Sequence, residues 1–224
     1  MKPQSSESDP SMAGIDLESV DRVLETTRSV RRRIDFHRPI DPEVIERCIE
    51  IACQAPTGIN AENWRFLVVT DPEKKAALAE LYRRAYLSLS EARGLPLKPA
   101  QRALADRLHE MPALILVCAE GRAAGNATAM QVGFYGSILP AAWSLMLALR
   151  ARGLGSTWTS LLAFHEEEVA RILEIPDGMT QTVMLPVGYM DGAVLKPAKR
   201  LSASEVTYWD RWGDRREGET GTRE

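Results

Sequence analysis

The chain has 224 residues, 45% hydrophobic and 26% charged, with a net charge of −3. That is enough apolar material for one domain with a real core, and no global charge to draw it to nucleic acid or an anionic membrane. The three cysteines, Cys48, Cys53 and Cys118, form no C-x-x-C pair, so a disulfide framework is not expected and a reducing compartment fits. The opening residues are polar and broken by proline, without the apolar run of a signal peptide. The apolar stretches read as shorter than a membrane span, and the expected location is the cytoplasm.

Residues 1–15 and 213–224 lack apolar periodicity and read as disordered tails around a single domain, 16–212. Leu17, Val20, Val23, Leu24 and Thr27 recur at helical spacing and lead into the basic run RSVRRR. Asp41 as N-cap and Pro42 at the first helical position open a second helix with Val44, Ile45, Cys48, Ile49 and Ala52 on one stripe. After the turn APTGIN a strand is expected over 65–70, and Asp71-Pro72 repeats the start signal for a third helix reaching Arg93. The run 94–99, with one glycine and two prolines, interrupts; a shorter helix follows to about Glu110.

ALILVCA is an uninterrupted apolar run suited to a central strand buried on both faces. The longest helix is predicted over 130–152, ending at Gly153-Leu-Gly155, with a bend or a later start imposed by Pro140. GSTWTS, a short acidic helix over 165–173, a strand over 180–189 and an arm over 190–212 complete the chain. The arm shows no convincing helical pattern. The class is α+β.

Four stations carry candidate chemistry. Arg28-Ser29-Val30-Arg31 sets two forked cations around a hydroxyl, the groups a phosphate needs, though arginines near a helix end also simply complement its dipole. Ala55-Pro-Thr-Gly-Ile-Asn60 can aim amides at a planar heterocycle, or can serve as a plain helix-to-strand turn. Gly153 to Ser160 follows a helix, so it is no dinucleotide fingerprint. Lys199-Arg200 reads either as a basic tail or as a late anion contact. His37, His109 and His165 are scattered without ligand spacing, and no metal is expected.

In order and spacing these stations resemble the nitroreductase family. Its pattern is an R-S-[VI]-R run, then A-P-[ST]-G-x-N-x-x-x-W-x-F-x-V-V, a long helix ending in G-L-G, a strand ending in P-[VI]-G-Y, and a basic tail pair. Here they are Arg28–Arg31, Ala55 to Val69, Gly153–Gly155, Pro186–Tyr189 and Lys199-Arg200, and the resemblance spans 17–212.

The resemblance implies a nitroreductase-like fold, with a central mixed sheet flanked by helices and an intertwined homodimer with an exchanged C-terminal arm (190–212). It implies FMN at the dimer interface, with NADH or NADPH as hydride donor, a small acceptor such as a nitroaromatic or quinone, and ping-pong turnover. Arg28, Ser29 and Arg31 would hold the phosphate and ribityl chain, with Arg200 and Lys199 closing on them. Pro56, Thr57 and Asn60 would meet the ring from the partner subunit. Trp158, Thr159 and Ser160 would line the isoalloxazine edge. No side chain is assigned a catalytic role, since the flavin carries the chemistry. Residues 82–109 are the candidate lid.

Thr27, Glu62-Asn63 and Trp158 depart from the common pattern, where an arginine, Gln-Pro and a small or hydroxyl residue are frequent. Glu62 can accept from the flavin N3–H but cannot donate to O2. Two other readings belong to the same fold or site. Reductive dehalogenation is disfavoured because the chain contains no Glu-x-x-x-Tyr. The flavin-destroying branch is disfavoured because it carries aspartate where Ser29 sits. A flavin-binding module without turnover is the reading from a different class.

Overall fold

The computed structural model describes residues 14–94 and 98–216; the expectation of disorder over 1–13 and 217–224 lies outside them. Helix α1 spans Leu17–Thr26. Its last turn is closed by Thr27, whose hydroxyl donates to the Val23 carbonyl at 2.6 Å. The basic run that follows is not helical. Arg33, with φ +55°, turns the chain into the two-residue strand β1, Ile34–Asp35.

Helix α2 (Pro42–Ala52) starts as its sequence dictates, the Asp41 carboxylate accepting from the Glu43 N–H at 3.0 Å. Helix α3 (Pro72–Arg93) starts in the same way, with Asp71 accepting from Lys74 N–H at 2.8 Å. It stops at Gly94, whose φ of +58° is open to glycine. Between them lies strand β2, Trp64–Val69. Helix α4 (Pro99–Arg107) runs through a 3₁₀ turn into strand β3, Ala113–Glu120.

The predicted long helix is two. Helix α5 covers Thr128–Gly136 and helix α6 Leu139–Ala151, with Pro140 in the first turn of α6, where no backbone donor is needed. Strand β4 (Leu154–Ser156), helix α7 (Glu166–Leu173), strand β5 (Met179–Met190) and helix α8 (Ala203–Val206) complete the chain. Helix α8 corrects the expectation of an arm without helix. Ser202 and Glu205 form a reciprocal capping box around its single turn, a local signal that overrides the missing periodicity.

The sheet runs β1-β5-β3-β2, with β4 also on β5, and every pairing is antiparallel. The expected mixed sheet is therefore not seen among the described residues. The cause lies in the connections. From β2, the chain passes along α3 and back along α4, so a helix pair returns it to the end of the sheet it left. A single crossover helix would have delivered a parallel strand.

Side chains of β3 alternate between two cores. Leu114, Leu116 and Cys118 pack with α3, α4 and α7, whereas Ala113 and Ile115 pack with α2 and α6. This two-sided burial is what an unbroken apolar run requires.

One expectation fails on length. Residues Thr128–Ala151 reach a mean hydropathy of 1.5 and are, by length and composition, long and apolar enough to cross a membrane. In the fold they break at Ser137-Ile138. Helix α6 buries Ala141, Ala142, Leu145, Met146, Ala148 and Leu149, whereas α5 buries none.

Close approach governs β5. A Cβ on Gly188 would lie 2.6 Å from Ile34 Cγ2 and 3.1 Å from Pro112 Cδ. Neither a β-branch nor a proline ring can swing away. We expect Gly188→Ala to cost about 1–3 kcal/mol, read as a lower urea midpoint with unchanged slope.

Candidate functional site

The site is built on the extended segment after α1. Val30 is buried in the core, and its N–H donates to the Ser156 carbonyl at 2.9 Å. The fully buried Thr157 hydroxyl donates to the Val30 carbonyl at 2.7 Å. Trp158 N–H donates to Ser29 Oγ at 3.1 Å, which leaves the Ser29 O–H free to donate elsewhere. These three bonds join the first and third stations, which are well over a hundred residues apart in sequence.

Two cavities open on this junction. One, of about 360 Å³, is lined by Arg31, Trp158, Thr159, Ser160 and Leu161 on one side, and by residues of α3 and α4 on the other. The second, of about 530 Å³, is lined by residues 29–33 and by 192–195 at the root of the arm. Arg31 lines both. Arg28, Arg31, Arg32 and Arg33 crowd into six residues, and among the described residues no carboxylate pairs with any of them. The arm is tied to this run by its backbone. Arg33 Nη1 donates to Gly192 O at 3.2 Å, Asp191 N–H to Arg33 O at 2.8 Å, and Arg28 Nη1 to Lys196 O at 3.0 Å.

Arg28, held by the Lys196 carbonyl, lines neither cavity, and the other predicted site residues lie elsewhere. Lys199 and Arg200 are exposed on the arm and line neither cavity; Arg200 Nη1 reaches only the adjacent Lys199 carbonyl, at 3.4 Å. Pro56, Thr57 and Asn60 also line neither cavity. Their loop forms a 3₁₀ turn whose Gly58 N–H donates to Ser137 Oγ at 2.9 Å, at the α5–α6 junction. It therefore belongs to the face covered by α2 and α6, across the sheet from α3 and α4.

The departures from the family pattern have local roles. Thr27 closes α1. The Glu62 carbonyl accepts from Arg65, and Trp158 packs its ring among the cores beneath α2 and α6.

Sequence reasoning marked the α3–α4 region but not its residues. Tyr82 and Tyr86, one turn apart on α3, both face the first cavity with Arg93, Lys98 and Gln101. The signal was there, as two phenols at i and i+4 that are the helix's only aromatics, but it reads equally as core. Burial pushes the Tyr82 hydroxyl above the usual phenol range, opposed by its contact with Thr159 and the charge of Arg31. It therefore stays a neutral donor at physiological pH. Among the described residues no cluster of His, Cys, Asp or Glu could hold a metal.

The chain matches the Nitroreductase family over residues 24–189. It belongs to that family. Iodotyrosine deiodinase of Drosophila melanogaster is 32% identical over 197 residues, covering 83% of this chain and 68% of that protein. NADH dehydrogenase of Thermus thermophilus is 30% identical over 197 residues, covering 81% and 91%. In structure, the oxidized iodotyrosine deiodinase bound to FMN and 3-iodo-L-tyrosine aligns with a TM-score of 0.65 at 26% identity, over 86% of this chain and 98% of that one. The nitroreductase-like fold expected from the motifs is thereby established.

The Thr157 hydroxyl is the bond that can be removed without changing shape. Thr157→Val should cost about 1–2 kcal/mol by orphaning the buried Val30 carbonyl, measured by urea unfolding. Thr157→Ser, which keeps the donor, should restore most of it.

Proposed function

We propose that this protein is an FMN-dependent oxidoreductase that moves hydride from NADH or NADPH to a small acceptor, such as a nitroaromatic or quinone, and works as a homodimer. The observation that carries this reading is Arg31, which has no carboxylate partner among the described residues, beside Trp158, Thr159 and Ser160 on one cavity, with Ser29 bonded to the Trp158 N–H. The donor set fits FMN. Forked guanidinium groups match phosphate oxygens, the spare Ser29 O–H can serve the ribityl chain, and both cavities fall in the range of about 300–1,000 Å³ common for ligands. When bound, FMN supplies the hydride-accepting and hydride-donating atom. The chain's own residues do the rest: Arg28 and Arg31 neutralise the phosphate, Thr159 and Ser160 offer hydroxyls to the ring edge, and Tyr82 narrows the cavity against water. Nicotinamide and acceptor share that cavity in turn, which predicts parallel lines in initial-rate plots.

The dimer follows from three features. Pro56, Thr57 and Asn60 face away from the cavity of their own chain, so one flavin can meet both sets only across two chains. Helix α5 leaves Met130 and Val132 exposed, and α1 leaves Leu17, Val20 and Leu24 exposed. On the arm, Trp212 is 87% exposed and Val206 and Trp209 are uncovered, apolar area that a lone chain rarely leaves in water. The arm would bring Lys199 and Arg200 to the partner's flavin.

A second reading, reductive dehalogenation, is favoured by the identity to a deiodinase and disfavoured by the missing Glu-x-x-x-Tyr. Turnover of 3-iodotyrosine by reduced protein would select it.

The purified protein should be yellow, release FMN rather than FAD on heating, and bleach anaerobically with NADH or NADPH; a colourless protein that takes up no FMN overturns the reading. Cutting after Gly192 should weaken dimerisation and FMN retention together, whereas cutting after Gly213 should affect neither, as read by light scattering and flavin absorbance. A dimer fully loaded after the longer cut would show the arm to be dispensable.

A further inference from the structure

The cavity that carries Arg31 and Trp158 has a second wall, which the flavin reading leaves largely unused. Helix α3 supplies Tyr82, Tyr86, Leu89 and Arg93, and the start of α4 supplies Lys98 and Gln101. The lining holds three cations, Arg31, Arg93 and Lys98, and no carboxylate. None of the three is in an ion pair among the described residues. Elsewhere on the same helices most cations have partners: Lys74 pairs with Glu174, Arg83 with Glu80, Arg84 with Glu168, Arg102 with Asp106 and Arg107 with Glu110, and Lys75 donates to the Met111 carbonyl.

Tyr86 adds an independent observation. It is 8% exposed, and its hydroxyl is buried without a hydrogen-bond partner. Leaving such a group unsatisfied is costly, and native proteins keep few of them. Its neighbour Tyr82 is in contact with Thr159, so the two phenols are not equivalent: one is engaged and the other waits for an acceptor atom. The rings of both tyrosines, with Leu89 and Leu161, supply the apolar part of a lining that also holds Ser90, Gln101, Thr159 and Ser160.

We propose that the acceptor molecule taken by this cavity is a small aromatic that carries a carboxylate beside its reducible nitro or quinone group, the carboxylate met by Arg93 and Lys98 and one of its oxygens accepting from the Tyr86 hydroxyl. This deepens, and rests on, the reading of the cavity as the acceptor side of a flavin site. Two cations on one cavity lining suit a monoanion, and the ring walls suit a flat apolar body. Arg31 faces both cavities and belongs with the flavin. Arg93 and Lys98 line only this one, which leaves their charge for the acceptor.

The test is calorimetric titration of the purified, FMN-supplemented protein with benzoate and with its neutral isostere benzamide. Benzoate should bind at least about tenfold more tightly, the scale of one charge-assisted contact. That advantage should collapse in the Arg93→Ala/Lys98→Ala double variant and shrink several-fold in Tyr86→Phe, while Arg102→Ala, whose side chain pairs with Asp106 on α4, should keep it. Equal binding of benzoate and benzamide overturns the proposal. Tighter binding of 2′,5′-ADP than of benzoate, lost in the double variant, also overturns it, by giving the cations to the nicotinamide coenzyme. A protein that takes no FMN yet still prefers benzoate would retire the flavin reading and leave the anion site standing.

Discussion

Four arginines within six residues repel one another, and left to themselves they would spread into solvent. What holds Arg28, Arg31, Arg32 and Arg33 together is the main chain beneath them. Val30 sinks its side chain into the core while its N–H and C=O are both taken, by the Ser156 carbonyl and the Thr157 hydroxyl. Ser29 is fixed by the Trp158 N–H. The anchoring groups are backbone and small hydroxyls, while the side chains of Arg28 and Arg33 hold carbonyls at the root of the arm. The cost of gathering like charge is met by core burial and sheet hydrogen bonds, and it is recovered when an anion arrives. The two cavities and the root of the arm are all attached to this one junction.

That junction also explains why the site needs more than one segment of chain to be seen. The basic run, the Thr157–Ser160 strand extension and residues 192–195 are remote in sequence, and each alone looks ordinary. A helix end can carry arginines to complement its dipole, and a glycine-bounded strand can follow any helix. Only the order and spacing of all four stations made the reading specific. The structure brings the first and third of them together, leaves Lys199-Arg200 exposed on the arm, and sets the loop of Pro56, Thr57 and Asn60 on the opposite face of the sheet.

Legibility followed the range of the interaction. Helix starts at Asp41-Pro42 and Asp71-Pro72, the break at Pro140 and the double-sided strand of ALILVCA rest on chemistry within a few residues, and each stands in the fold close to where it is expected. Strands β1 and β4 are two and three residues long; they exist because β5 offers them partners, and no local pattern announces them. Strand direction was equally invisible, since it depends on α3 and α4 running as a pair. The roles of Tyr82 and Tyr86 were hidden by an ambiguity of residue type, for a phenol on an apolar stripe reads as core until its hydroxyl is located.

The two walls of the first cavity differ in how they are held, and that difference bears on specificity. The Trp158–Ser160 wall is stitched into the sheet by backbone bonds, including Thr159 N–H to Met184 O at 3.2 Å and Met184 N–H back to Thr159 O at 2.8 Å. The opposite wall rests on side-chain packing of α3 and α4, whose ends carry the exposed Arg93 and Lys98. A wall fixed by main chain tolerates change of side chain without losing position, which suits a constant cofactor. A wall fixed by packing can alter its lining while Leu78, Leu81, Leu104 and Leu108 keep the helices seated. The buried, unpartnered Tyr86 hydroxyl sits on that second wall. A domain can carry such a cost, about 1–3 kcal/mol, where the surrounding core over-determines the helix, and rules of packing are most often broken where a ligand completes them.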